Sequence, residues 1–423
     1  MELRRKLEIL ADAAKYDASC ASSASVRKAG KSAKAIGSTE GGGICHSYTP
    51  DGRCVSLLKI LLTNYCVYDC RYCINRVSSD VPRARFRPEE VVELTLSFYR
   101  RNCIEGLFLS SGVLKNPDYT LEQMVRVAKL LREEHHFGGY IHLKIVPGAS
   151  PELVEEAGRY ADRLSCNAEL PRERDLAELA PEKSEAQVQA AMQTMHSIES
   201  HAAAPASGKA TSARGRSRAM PAGQSTQMLV GVNDAPDAAI LYKASELYRR
   251  YALRRVYYTA YSVIPFAHAR LSKMPVPLLR EHRLYQADWL HRFYGFAVDE
   301  IVPAEHAMLS MEHDPKTAWA LRHRERFPVD VNVAPRDELL RVPGLGVRNV
   351  ERILRVRRYH RIGWDDLRRM RVPLARAAAF LQTREGASPA LRRLDSLKLE
   401  PALRRAPQLE LFATLETARS GEL

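Results

Sequence analysis

The chain has 423 residues, enough for two or three domains. Its hydrophobic content of 45% is that of an ordinary globular protein, and no run of 18 apolar residues is present, so no membrane span is expected. The net charge of +14 is unevenly placed: residues 316–405 hold 22 Lys and Arg against 10 Asp and Glu, which points to a polyanionic partner for that part. The N-terminal MELRRKLEILADAAKYD carries charges throughout and no apolar h-region, so it does not read as a secretory signal. Eight cysteines, three of them on one loop, fit a reducing cytoplasm better than a disulfide framework.

Residues 1–17 read as an amphipathic helix, with Leu3, Leu7, Leu10 and Ala14 at helical spacing. Residues 18–43 are rich in Ser, Ala, Gly and Lys and complete an N-terminal helix-and-loop segment, 1–43. Cys45 and Cys54 flank HSYTPDGR, and Cys20 lies upstream. With Cys103 or Cys166 they are either ligands of an auxiliary iron–sulfur cluster or small buried hydrophobes.

Val55 to Leu62 is an apolar run of strand length. The loop after it carries Cys66, Cys70 and Cys73 as C-x3-C-x2-C, with Tyr72 beside the last thiol. Three thiolates this close can hold three irons of a cube and leave the fourth open. The alternatives are a zinc site or unrelated thiols; zinc sites more often show paired C-x2-C units or histidines at set spacing, and here no second C-x2-C exists and no His lies within the loop.

Beyond the cluster loop, strand and helix patterns alternate. Strands are expected at 106–112, 140–148, 162–170, 226–234 and 254–264, with helices starting at Pro88, Tyr119, Pro151 and 236. With the cluster strand this makes six β/α units, a parallel sheet, and so a partial (β/α)6 TIM-type barrel over 44–270. Sites in such barrels lie at the C-terminal strand ends. There the sequence puts Ser110, Ser111 and Gly112, and, alternating on the fourth strand, Ser165, Asn167 and Glu169. Lys144 is either an anion contact or a surface lysine, and Tyr257, Tyr258 and Tyr261 either face substrate or pack the core. Residues 183–224, dense in Ala, Ser, Gly and Arg, read as a low-complexity insertion, helical at its start and disordered at its end.

A helical connector, 271–326, follows. Leu284, Ala287, Leu290 and Tyr294 form its expected core stripe, and Arg280, His282, Arg283, His291 and Arg292 an expected phosphate-facing set. In 327–384, an all-α domain, Val342-Pro343-Gly344-Leu345-Gly346 joins two short helical patterns. This resembles the helix-hairpin-helix DNA-binding module. Gly344 and Gly346 would let the backbone approach a phosphate held by helix N-terminal amides, with Arg348 and Arg352 adding charge. A second, glycine-free copy is expected from Trp364 to Arg376. The tail, 385–423, reads as flexible. Within it Gln408-Leu409-Glu410-Leu411-Phe412 resembles the peptide by which bacterial repair proteins bind the sliding clamp.

The cysteine motif, with its aromatic residue and preceding strand, resembles the radical S-adenosylmethionine (SAM) superfamily. That resemblance implies a 4Fe-4S cluster on Cys66, Cys70 and Cys73, and SAM on the open iron. It places Tyr72, Ser110, Ser111, Gly112, Ser165, Asn167 and Glu169 around SAM; the acidic residue that usually ends the small-residue motif is missing after Gly112. GGGICHSYTPDGRCVSLLKILLTNYCVYDCRYC, REHRLYQADWL and FPVDVNVAPRDELLRVPGLG together resemble a narrower family of DNA modification or repair radical SAM proteins. Its members are linked by gene context to a uracil-DNA-glycosylase-like protein. The resemblance implies DNA as substrate, an electron donor such as flavodoxin or ferredoxin, and a 5′-deoxyadenosyl radical that attacks a nucleotide. An enzyme acting on RNA, and a non-catalytic iron–sulfur protein that binds DNA or senses redox state, are the alternatives.

Overall fold

The computed structural model describes residues 1–14, 44–48, 54–203, 219–264, 268–269 and 271–388. These fall into two compact units, the first drawn from 1–235 and 246–276, the second from 236–245 and 277 onward.

The first unit opens with helix α1 (Leu3–Ala14) and strands β1 (Ile44–Tyr48) and β2 (Cys54–Leu61). It continues as α2 (Pro88–Arg100), β3 (Gly106–Ser110), α3 (Pro117–Lys129), β4 (Tyr140–Lys144), α4 (Pro151–Tyr160) and β5 (Arg163–Ser165). Then come α5 (Glu173–Leu179), α6 (Glu185–Ala203), β6 (Gln224–Val230), α7 (Asp237–Tyr251), in which the unit boundary falls, and β7 (Arg255–Ala260). The seven strands pair in sequence order. Strands β2 to β7 are all parallel, each beside its predecessor, which is the partial six-unit barrel sheet expected. Strand β1 is an addition: it pairs antiparallel with β2, with Cys45 opposite Leu57.

Local chemistry explains the boundaries. Pro88 opens α2, and Glu90 Oε2 accepts the Arg87 N–H at 2.7 Å, satisfying a first-turn donor. Asn116 caps α3 through the Tyr119 N–H at 2.8 Å. Because successive side chains point to opposite faces, each strand serves two environments. Leu58, Ile60, Leu107, Leu109, Ile141, Leu143 and Leu164 are buried on one face. On the other, Lys59, Phe108, His142 and Lys144 point into the barrel, where Phe108 and His142 stack at 4.2 Å.

Two differences from expectation stand out. The segment read as an insertion begins with a helix, as expected, the 19-residue α6, but that helix is part of the core, with Val188, Met192 and Met195 buried. It packs on α4 so closely that a Cβ on Gly158 would lie 3.1 Å from Ile198 Cδ1. Residues 204–218 lie outside the described ones. The fourth strand is shorter than expected: β5 ends at Ser165, and Glu169, at φ +62°, meets β6 only through a bridge to Met228.

The second unit contains α8 (Leu278–Tyr294), α9 (Val298–Ile301), α10 (Pro315–Arg322), β8 (Val329–Asp330), α11 (Arg336–Arg341) and α12 (Val347–Val356). Then follow α13 (Trp364–Arg369), α14 (Leu374–Ala377), β9 (Leu381–Thr383) and β10 (Gly386–Ala387). The connector and the C-terminal domain expected from sequence form one unit here, and that domain is not all-α: β10, β9 and β8 pair in that order as a small sheet. Trp319 joins them, edge-on to Phe296 at 5.3 Å and to Phe327 at 6.2 Å. The expected stripe of Leu284, Ala287, Leu290 and Tyr294 is buried. Among the described residues no helix is long and apolar enough to cross a membrane.

Candidate functional site

The cysteine loop leaves the C-terminal end of β2, as a barrel site requires. Its shape is fixed by partners distant in sequence. Arg83 donates to the carbonyls of Asn64, Asn75 (2.9 Å), Arg76 (2.7 Å) and Ser79 (2.7 Å), drawing both arms of the loop together. Thr63 Oγ1 donates to Ala84 O at 2.8 Å, and Asn64 Oδ1 accepts the Ala84 N–H at 2.8 Å. From the other side, the Arg71 N–H donates to Leu179 O at 2.7 Å and the Asp69 N–H to Glu182 Oε1 at 3.0 Å.

Two of the thiols already accept backbone donors. The Val113 N–H reaches Cys66 Sγ and the Asn75 N–H reaches Cys73 Sγ, each at 3.3 Å. Such hydrogen bonds to sulfur orient ligands and tune clusters. Burial pushes the Cys70 thiol up to about 11 and the Cys73 thiol up to about 12; the Lys183 ammonium opposes this at both, and the Asn75 N–H opposes it at Cys73. A positive iron cluster reverses that preference, since it binds thiolate. No group of three or more His, Cys, Asp or Glu among the described residues is arranged to hold a single metal ion. Thiolates on separate irons of a cluster do not need to meet at one point.

Tyr72 lies among Leu170, Leu176, Leu179, Val232 and Tyr261, and its buried hydroxyl has no hydrogen-bond partner. A polar atom left this way beside the thiols fits a site that a cofactor completes. Ser110 is 2% exposed at the end of β3, and its carbonyl accepts the Leu62 N–H at 2.8 Å. Ser111 Oγ donates to Gly112 O at 2.6 Å. Gly112 has a concrete reason to be glycine: a Cβ there would stand 2.4 Å from Tyr65 O. Its N–H donates to Thr63 O at 2.8 Å, so the turn after β3 lies directly against the cysteine loop.

The polar residues expected on the fourth strand do gather. Asn167 Nδ2 donates to Gln227 Oε1 at 3.1 Å and to Glu169 Oε2 at 3.4 Å, and Lys144 Nζ reaches the same Gln227 oxygen at 3.3 Å. Ser165 Oγ is 2.8 Å from His142 Nε2. Sequence reasoning missed Lys183, which donates to Glu169 Oε1 at 2.7 Å. Burial alone would lower its ammonium; Glu169, Tyr72 and Cys70 outweigh that and hold it well above the ordinary lysine value. Tyr258 is core, and Tyr257 lies under the Arg255 guanidinium at 5.2 Å.

The other described cysteines are not brought together. Cys45 is buried among Val55, Leu57 and Phe108, Cys166 is fully buried beside Ser165, and Cys103 is exposed on the turn after α2. Cys20 and the side chain of Cys54 lie outside the described residues, as do Gln408, Leu409, Leu411 and Phe412.

In the second unit, the Val342–Gly346 turn joins α11 to α12, and a second turn joins α13 to α14. Gly344 has φ +84°, and a Cβ on it would lie 3.2 Å from Arg376 Cβ, so the first turn packs on the second pair. Gly346 is the N-cap of α12, and Arg348 is exposed on its first turn. Arg352 donates to Met370 O at 2.6 Å, tying the two pairs together. Four of the five basic residues expected to face phosphate from α8 are instead engaged internally, His282 being the exception. Arg280 pairs with the buried Asp237 at 2.8 Å, Arg283 donates to Ser310 O at 3.2 Å, and Arg292 pairs with Asp288 at 3.4 Å. His291 Nδ1 lies 2.9 Å from Phe296 O.

The model of the Radical SAM superfamily matches residues 60–201, a stretch that contains the cysteine loop, β3 to β5 and Lys183. This region belongs to the radical SAM superfamily. Superfamily members hold a 4Fe-4S cluster and SAM, and the three loop thiols and the polar strand ends are the groups present here to hold them. No curated protein matches the chain. Among solved structures, similarity extends to the FeFe-hydrogenase maturase HydG from Carboxydothermus hydrogenoformans. That match has 15% identity over 53% of this chain and 48% of that one, with a TM-score of 0.40. Methylornithine synthase (PylB) is 16% identical over 53% of this chain and 59% of that one, TM-score 0.40. A radical SAM methyltransferase from Sphaerobacter thermophilus is 13% identical over 58% and 73%, TM-score 0.37. The match spans about half the length of the HydG structures.

Proposed function

We propose that the chain is a radical SAM enzyme that modifies or repairs a nucleotide within DNA. The observation that carries the DNA reading is the tandem pair of helix–turn–helix units in the basic second unit, α11–α12 and α13–α14, with Gly344 and Gly346 in the first turn. The first-turn amides of α12 have no carbonyl within their own helix to bond, and Arg348 stands exposed beside them. That is the equipment for holding a phosphate without reading sequence.

When bound, the cluster and SAM supply a 5′-deoxyadenosyl radical able to take a hydrogen atom from substrate. The residues of this chain do the holding. Cys66, Cys70 and Cys73 ligate, Arg83 and Gly112 shape the loop, and Ser165, Asn167, Glu169 and Lys183 present polar groups at the strand ends. A base inside a duplex is out of reach, so it must be extruded or single-stranded. The electron comes from a small donor of the flavodoxin or ferredoxin kind, and the Gln408–Phe412 peptide serves to bring the enzyme to the sliding clamp.

The test is 5′-deoxyadenosine release after anaerobic cluster reconstitution and chemical reduction, with and without DNA, beside Cys70→Ala. Release that needs Cys70 and rises with DNA is expected. Release stimulated by RNA and not by DNA would move the substrate to RNA. An intact cluster with no release under any condition would leave a sensing or structural iron–sulfur protein.

A further inference from the structure

We infer that the surface just beyond α12, centred on Tyr359, is a stacking platform for an unpaired base. The DNA taken by the second unit then contains an unpaired nucleotide rather than continuous duplex alone. This rests on the DNA-binding reading above and adds the state of the DNA.

Tyr359 is 84% exposed, the most exposed large hydrophobic side chain among the described residues. A single exposed aromatic ring needs no explanation by itself; what sets this one apart is its setting, which decides what its face can meet. Its surroundings are cationic. Arg355, Arg358 and Arg361 are exposed in the run RVRRYHR, and none of the three has an ion-pair partner among the described residues. Among the described residues the only acidic contact of the run is that of His360 with Asp366, at 3.4 Å.

The platform is held rigidly. The Tyr359 N–H donates to Val356 O at 3.0 Å. Arg357 donates to Ala334 O at 2.6 Å, and Arg384 to Arg361 O at 3.2 Å. Asn332 and Ile362 exchange hydrogen bonds of 3.2 and 2.7 Å across the same place. Val333, 71% exposed, sits on the turn that Arg357 holds. A ring set among guanidinium groups is how single strands are held: cations take the phosphates and the ring takes a base face. Paired bases inside a duplex present no such face.

Spacing agrees with a shared strand. The 10 residues of α12 separate the Gly346 end from the Tyr359 end by about 15 Å. That equals four to five nucleotides at a rise of about 3.4 Å each. One strand can therefore be gripped at its phosphate by the start of α12 and stacked at its far end.

The experiment uses the full chain and three labelled DNAs at one salt concentration: a paired duplex, the same duplex with one unpaired 2-aminopurine, and the single strand. Binding is followed by anisotropy and by 2-aminopurine emission. The wild type is expected to prefer the unpaired-base duplex over the paired one by about tenfold, within the range for one stacked base. Tyr359→Ala should abolish that preference, keep the paired-duplex affinity, and give brighter 2-aminopurine emission in the complex; Tyr359→Trp should retain preference and quenching. Equal wild-type affinity for the two duplexes, or an unchanged preference in Tyr359→Ala, overturns the platform while leaving the hairpin reading in place. Failure to bind any DNA overturns both.

Discussion

Lys183 donates to Glu169 Oε1 at 2.7 Å, and both side chains are largely buried, at 14% and 8% exposure. The pair joins the turn after α5 to the end of the shortened fourth strand, where Glu169 takes a left-handed conformation at φ +62°. Removing one partner leaves the other charge buried and alone, which costs about 3–5 kcal/mol. Lys183→Met is expected to lower the unfolding free energy by that amount, and Lys183→Met with Glu169→Gln to recover most of it. Urea titrations of the two variants decide the matter; additive losses would mean that the pair is not coupled.

Arg83 holds four carbonyls of the cysteine loop with one planar fork of donors, a task that a lysine ammonium cannot perform. Arg83→Lys should keep the fold and lose iron. The expected readout is lower iron and sulfide content per chain after reconstitution, with faster bleaching by a chelator. Wild-type retention would show that the loop is held elsewhere.

At Gly112 a methyl group meets Tyr65 O at 2.4 Å, inside any permitted contact. Gly112→Ala must push the β3 turn away from the cysteine loop and weaken the Val113 donor to Cys66 Sγ. We expect a loss of stability of about 1–3 kcal/mol, together with a shifted absorption spectrum of the reconstituted cluster. Stability lost with an unaltered spectrum would confine the clash to packing.

In the second unit, Lys316 Nζ donates to Leu345 O at 2.5 Å, inside the turn between α11 and α12, and lies 4.6 Å from the Tyr294 ring. Burial pushes the Lys316 ammonium down to about 7; Asp314 opposes this and Arg376 adds to it. The folded value is thus below the unfolded one, near 10.4. Below pH 7 both states carry the proton and the cost of burying it is full. Between about pH 7 and 10.4 the unfolded chain binds more protons, so stability rises with pH by at most about 1.4 kcal/mol per unit. Lys316→Met should flatten that rise between pH 7 and 9.5 in urea titrations. Parallel curves for the two proteins would place the shift on another group.

Arg348 is exposed on the first turn of α12. If it meets a phosphate, Arg348→Ala weakens DNA binding equally for unrelated sequences and lowers the salt-dependence slope by about 1. A sequence-dependent loss, or none, would remove it from the backbone grip.

Much of the barrel was legible because buried parallel strands are continuous apolar runs. Gly106–Ser110 is buried at every position and reads as a strand at once. The three loop cysteines were legible for another reason: their spacing carries chemistry within eight residues. Lys183 was not, because it sits in the polar run PEKSEA and its partner Glu169 is 14 residues away. Arg83 was hidden likewise, since its acceptors are carbonyls, which carry no residue signature. The helical start of α6 was legible too, but not its burial through Val188, Met192 and Met195, because the Ala- and Ser-rich stretch after it made the whole segment read as an insertion. On α8, helical spacing could not reveal that Asp237, 43 residues before Arg280, neutralises it.

The clamp made by Arg83 also separates the holder from the ligands. One guanidinium takes four carbonyls of the cysteine loop and none of its three thiols. A change at Arg83 therefore alters how the sulfurs are presented while leaving each of them in the chain, whereas a change at Cys66, Cys70 or Cys73 removes one outright.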